Sequence, residues 1–167
     1  PKGRRPKRPV PYANEVMTGF EYCAAVGMLY EGQTANGLKC IGAIRARYDG
    51  RRRSPFDEAE CGHHYARAMA SWSAVLALTG FHYSAVTKTM TFAAASKPTT
   101  WFWSTGTAWG TCRQKPTRKG TKVELTVLHG KLEVSGLTLT GLGSATCAGP
   151  KGLTTGQMVT LSVERNE

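Results

Sequence analysis

The feature that most limits what this chain can fold into is a change of hydrophobic period near residue 81. Upstream, apolar residues recur three and four apart, the spacing of a helix face. Downstream, β-branched and aromatic residues alternate with polar ones between Gly and Pro, which is the spacing of strands. The fold class expected is therefore α then β, within a chain of 167 residues that is long enough to bury a core. With 41% hydrophobic residues and 20% charged ones, wholesale disorder, collagen-like repeats and a coiled coil all fit poorly.

Three pieces follow from that change. Residues 1–13, PKGRRPKRPVPYA, contain four prolines and read as an extended basic arm. Residues 14–80 read as three helices. Asn14 offers an N-cap and Glu15 an acid in the first turn of a helix running to about Gly32. A second helix fits from about Thr34 to Arg47, with Leu38, Ile41 and Ile44 on one side. Tyr48-Asp49-Gly50 closes it as a turn before an exposed basic loop, Arg51-Arg52-Arg53. The third is predicted from about Ala59 to Leu78, with Gly80 as its stop. On it Glu60, His64, Arg67 and Ser71 fall at i, i+4, i+7 and i+11 and form one polar stripe. Residues 81–167 read as an antiparallel sheet. Its strands are Tyr83 to Phe92, Thr100 to Ser104, Gly110 to Gln114, Lys122 to Leu128, Lys131 to Thr140 and Gln157 to Val163. His129-Gly130 is the expected hairpin turn, and residues 141–156 the expected long loop.

Charge and cysteines exclude several classes. The formal net charge is +11, but five cations lie in the first eight residues with no acid among them. The excess is mostly a tail and scattered surface charge, so no specific nucleic-acid partner is expected. The chain begins at Pro1 with no apolar stretch after its basic start, which does not read as a signal peptide; it reads as a piece of something longer. Residues 68–87 contain no Lys, Arg, Asp or Glu. Their Ala, Ser and Thr content, with Gly80 inside, favours a buried helix leading into a strand over a membrane span. The five cysteines are far apart and contain no CxxC, so they read as mostly buried free thiols. No metal and no cofactor is expected: Cys61 and the adjacent His63 and His64 do not converge on a helix.

The blocks NEVMTGFEY and RYDGRRRSPFDEAECGHHYARAMASW resemble the end of the catalytic region of glycoside hydrolase family 116, which holds bacterial β-glucosidases and β-xylosidases and the non-lysosomal glucosylceramidases. The likeness covers roughly residues 10 to 85. It implies that the three helices are the last helices of an (α/α)6 barrel and that the β-rich segment after residue 81 is an appendage. Members use a retaining mechanism with two carboxylates. Both of those motifs lie upstream of this block in the family, and neither occurs in this chain. The resemblance thus implies a C-terminal part of a retaining β-glycosidase that supplies glycone-binding residues and has no catalytic residue of its own. Its partners would be a β-linked glycoside and the missing N-terminal portion of the enzyme, and the isolated chain would be inactive. Arg67 matches the arginine of the family's Tyr-x-Arg helix, and Glu58 or Glu60 the acidic residue that holds sugar hydroxyls with it.

The residue chemistry agrees with that role. Vicinal hydroxyls both donate and accept, so a carboxylate beside a guanidinium satisfies them together. Glu60, His64 and Arg67 on one helix face would build such a clamp. From spacing alone, a structural ion pair explains Glu60 and Arg67 as well. Glu15 and Thr18 start the first helix and would approach the pocket, a position that helix capping explains equally. Trp101 and Trp103 share a strand face, which favours core packing over sugar stacking, and Trp109 is weighed the same way. The alternative function is a non-catalytic carbohydrate-binding or interaction module, or a truncated remnant.

Overall fold

The computed structural model of the chain describes residues 17–56 and 67–166. The basic arm, Asn14 and Glu15, and the segment with Glu58, Glu60, Cys61, His63 and His64 lie outside the described residues. The chain divides into two units, residues 1–78 and 79–167.

In the first unit, α1 (Thr18–Tyr30) and α2 (Thr34–Arg47) are joined by a turn short enough to make them neighbours. Val26 and Leu29 of α1 form a small core with Ala74, and Ile41 packs against it. The buried side of α2 runs Gly37, Ile41, Ile44, at i, i+4 and i+7, while Leu38 faces outward. Gly37 is where the helices approach closest: a Cβ there would lie 2.8 Å from the Ala25 carbonyl oxygen. The ion pair between Arg47 and Glu21 joins the end of α2 to the start of α1. Past α2, the Asp49 carboxylate accepts the N–H groups of Arg51 and Arg52, each at 2.9 Å, and Arg51 to Arg53 are exposed.

The third helix differs from its expected form. Arg67–Ser71 is a 3-10 turn, and α3 covers only Trp72–Thr79. The Ser73 hydroxyl donates to the Ala70 carbonyl at 2.5 Å, a side-chain bond that competes with regular helical pairing at the junction. With three residues per turn, positions four apart are rotated by about 120°, so Ser71 does not continue a stripe from Arg67. No described helix is long and apolar enough to cross a membrane, and residues 68–87 divide among the 3-10 turn, α3 and a strand.

The second unit is built from seven strands: β1 (His82–Ser84), β2 (Thr89–Ala93), β3 (Thr99–Ser104), β4 (Ala108–Pro116), β5 (Gly120–Thr140), β6 (Gly143–Thr154) and β7 (Met158–Glu164). The 21-residue β5 organises them. Its first half pairs with β4 and β7, its second half with β2 and β6. β3 extends the first layer beyond β4, and β1 extends the second beyond β2. Side chains from both layers form one core, including Met90, Phe92, Trp103, Cys112, Leu125, Leu137 and Leu161. Trp101 packs against that core, so Trp101 and Trp103 are core residues as strand alternation predicts, whereas Trp109 is exposed.

Several expectations are corrected here. The chain is not the end of an (α/α)6 barrel with a small appendage: among the described residues strand outweighs helix, 45% against 28%, and the sheet is curled and mixed. β2 and β5 run parallel because the chain between them passes through β3 and β4, a connection long enough to return in the same direction. His129-Gly130 is not a hairpin. Gly130 takes a positive φ of 85°, but it bends a continuous strand at the point where β5 changes partners. Residues 141–156 are mostly strand, since pairing of β6 with β5 overrides their Gly, Ser and Thr content. The expected strand from Tyr83 to Phe92 is split by a turn into β1 and β2. The four described cysteines are free, as expected, but only Cys112 is fully buried, and burial pushes its thiol up to about 12.

Two substitutions test what holds the sheet unit. A Cβ at Gly130 would collide with the Thr107 carbonyl oxygen, and an L-residue at that φ adds strain. Gly130→Ala is expected to cost about 2 kcal/mol or more in urea unfolding. The buried Gln114 amide donates to the Ala93 carbonyl and accepts the Ala95 N–H, both at 2.9 Å. Gln114→Leu removes both bonds and should cost about 1–3 kcal/mol in spite of its greater hydrophobicity. Parent-like unfolding of either variant would remove the roles given to these residues.

Candidate functional site

The residues read from the sequence as a sugar clamp are only partly within the described structure. Glu15, Glu58, Glu60 and His64 lie outside it. Arg67 opens the 3-10 turn and Thr18 opens α1, where it is fully buried. α1 packs against the 3-10 turn, so the helix that starts with Thr18 lies beside the turn that starts with Arg67. Met17 precedes Thr18 as the N-cap residue and makes no side-chain capping bond.

The helical unit exposes several large apolar side chains. Met69 is 81% and Trp72 64% exposed, Tyr30 and Leu38 are also exposed, and Phe56 stands out from the loop after the three arginines. At the far end of α2, Arg47 Nε and the Tyr48 hydroxyl are buried without a hydrogen-bond partner among the described residues, although Arg47 Nη2 donates to the Glu21 carboxylate.

A second cluster lies on the outward face of the β3-β4-β5-β7 layer. Strand pairing sets Ser104, Trp109 and His129 in one row and Phe102, Thr111, Thr126 and Met158 in the next. Beyond them, Thr100, Arg113, Glu124 and Thr160 form a third row, and Lys115, Lys122 and Ser162 a fourth. The Trp109 ring stacks on His129 with centroids 5.9 Å apart and an interplanar angle of 24°, and the Phe102 ring is tilted against Trp109 with centroids 6.2 Å apart. Lys115 Nζ donates to Glu124 at 2.7 Å, while Arg113 and Lys122 stand 3.9 and 4.0 Å from the same carboxylate. The hydrogen bond from Lys115 holds the Glu124 carboxyl below its ordinary range, and the charges of all three cations act in the same direction.

This face lies outside the helical spacing from Glu60 to Ser71. Its signal was present in the alternation Trp109, Thr111, Arg113, Lys115, opposite in phase to the buried Ala108, Cys112 and Gln114. Among the described residues no group of His, Cys, Asp and Glu is arranged to hold a metal ion. No family model matches the chain, and no curated protein does.

The Glu124 cluster has a definite pH signature. Its folded-state pKa lies below the ordinary 4.5, so its stabilisation is present above that value and is lost as pH falls through the folded-state value. From about pH 6 to about pH 3 the thermal midpoint of the parent should fall more steeply than that of Glu124→Gln. Equal slopes in differential scanning calorimetry would show that the cluster contributes nothing in the folded state. Salt should flatten the difference, because Arg113 and Lys122 are more than half exposed.

Proposed function

We propose that the chain is the C-terminal part of a retaining β-glycosidase and binds hydroxyls of the glycone through Arg67 with Glu58 or Glu60, assisted by His64. The observation that carries this reading is the run DEAECGHHYAR, which places acids, imidazoles and a guanidinium within eleven residues immediately ahead of a Trp-containing helix. A carboxylate accepts from sugar hydroxyls and a guanidinium donates to them, so the set matches a polyhydroxylated ring better than an anion or a metal.

Two features of the described residues support it. The first is the packing of α1, which Thr18 opens, on the 3-10 turn that Arg67 opens. The second is the exposed apolar surface of the helical unit, including Met69 and Trp72, against a buried core of Val26, Leu29 and Ala74. Such a surface calls for more protein to cover it. The two carboxylates that retaining hydrolysis needs would come from that upstream portion. Four acids among the described residues, Glu21, Asp49, Glu124 and Glu133, are already engaged by Arg47, loop N–H groups, Lys115 and Lys88.

Expression of the chain together with its adjoining upstream coding sequence tests the proposal. The joined protein should hydrolyse aryl β-glucosides, and the chain alone should not. Arg67→Ala should lower kcat/KM of the joined protein by about 10- to 100-fold, the worth of a charge-assisted hydrogen-bond pair. Comparison of Glu58→Gln with Glu60→Gln identifies the partner acid. Turnover by the chain alone, or an upstream sequence without two catalytic carboxylates, would refute the reading.

A further inference from the structure

We propose that the outward face of the β3-β4-β5-β7 layer is a binding surface for an acidic polysaccharide, with pyranose rings against Trp109 and Phe102 and uronate carboxylates on Arg113 and Lys122. This does not rest on the glycosidase reading, because every residue involved lies between Thr99 and Glu164.

The aromatic end has the form of a stacking platform. Trp109 is 42% and Phe102 48% exposed, too open for rings whose role is core packing, and the buried Trp103 already fills that role. His129 backs the indole in a stacked arrangement and fixes its plane. Four residues along β4, about 13 Å at the rise of a strand, the cationic end begins. There Arg113, Lys115 and Lys122 surround a single carboxylate, Glu124, whose side chain is only 16% exposed. The carboxylate is enclosed while Arg113 and Lys122 stay open at 57% and 51%, so the accessible part of the cluster is positive. That charge is the complement of a carboxylate-bearing ligand. Between the two ends lie Thr111 and Thr126, whose short hydroxyls both donate and accept.

A single-stranded nucleic acid would also use rings and cations, but it brings a phosphate with every base. Three cations sharing one acid are few for that charge density. The hydroxyl rows fit a sugar chain, with its many hydroxyls and fewer charges. The basic arm is a separate source of attraction for any polyanion, and the test has to remove it.

The test is affinity electrophoresis of the full chain in gels that contain polygalacturonate, neutral β-glucan or single-stranded oligothymidylate. Retardation by polygalacturonate and none by the neutral glucan is expected, with the binding weakened about tenfold or more in about 0.5 M NaCl. Trp109→Ala should weaken binding about tenfold, as should Phe102→Ala, and Trp109→Phe should restore most of it. The double variant Arg113→Gln, Lys122→Gln should lose about tenfold as well. All these side chains are exposed, so their replacement leaves the core intact; a parent-like circular dichroism spectrum checks it. Replacement of Lys2, Arg4, Arg5, Lys7 and Arg8 by Gln should remove the attraction of the arm and leave polygalacturonate binding that still depends on Trp109, Arg113 and Lys122. The proposal is overturned by absence of polygalacturonate binding, by oligothymidylate binding as tight or tighter, by loss of binding in the arm variant, or by parent-like binding of the Trp109 and Arg113/Lys122 variants.

Discussion

The sheet unit depends on one strand that bends without ending. β5 must satisfy partners in two layers, and Gly130 is where it turns from one set to the other. At that point Lys131 N–H donates to the Thr107 carbonyl, and Gly130 N–H donates to the Thr155 hydroxyl. The backbone groups freed by the bend are therefore caught by the loops ahead of β4 and after β6. Because both halves belong to one strand, the inner faces of both layers close over the same core, with Val127 before the bend and Leu132 after it. A hairpin at the same dipeptide would have placed the two halves side by side in one layer and left that core open.

Closure of the core also decides what remains outside. On β4 the inward residues Ala108, Cys112 and Gln114 are buried, which forces Trp109, Arg113 and Lys115 to the opposite face. Glu124 on β5 is the one acid in the third row of that face, and it draws Lys115 into a hydrogen bond while Arg113 and Lys122 lie farther off. The same arrangement occurs in smaller form on the second layer, where Lys88 pairs with Glu133 at 2.6 Å and Tyr83 donates to the Glu133 carbonyl at 2.8 Å. Glu133 is held below the usual carboxylate range by that lysine, and Lys88 is raised by it. The surface acids of this unit thus act mainly to order lysines across strands.

Much of the local structure was legible in the sequence, for reasons that also explain the failures. α2 runs from Thr34 to Arg47 as its spacing predicts, and Ile41 and Ile44 face inward. Leu38 does not, because the closer fit to a helix face starts from Gly37, a residue that hydrophobicity alone overlooks. The strands with clear alternation were read to within a few residues, while β6, rich in Gly, Ser and Thr, was invisible because its stability lies in the strand it pairs with. Gly130 shows the limit most clearly: a residue marks the positive φ, and only tertiary context decides whether that φ reverses a chain or bends it. The third helix failed for a related reason. A period of 3.6 and a 3-10 turn are indistinguishable over five residues, yet they send Ser71 to different sides of the chain. The candidate clamp was legible only as residue types in one run, with Arg67 opening the turn and Glu58, Glu60 and His64 outside the described residues.

Four carboxylates among the described residues are held by neighbouring groups. Hydrolysis with retention requires two carboxyl groups about 5 Å apart with both available to the reacting bond. Asp49 is held by the N–H groups of its own loop, and Glu21, Glu124 and Glu133 by cations that stabilise their ionised forms or their positions. For Asp49, Glu124 and Glu133 these contacts favour the ionised form, and moving any of them would break the contact that orders its neighbour. Guanidinium and ammonium groups are less constrained: Arg113 and Lys122 share an acid with a closer lysine and keep open faces toward solvent. The outward face of the sheet unit therefore presents positive charge around a carboxylate that is itself largely enclosed.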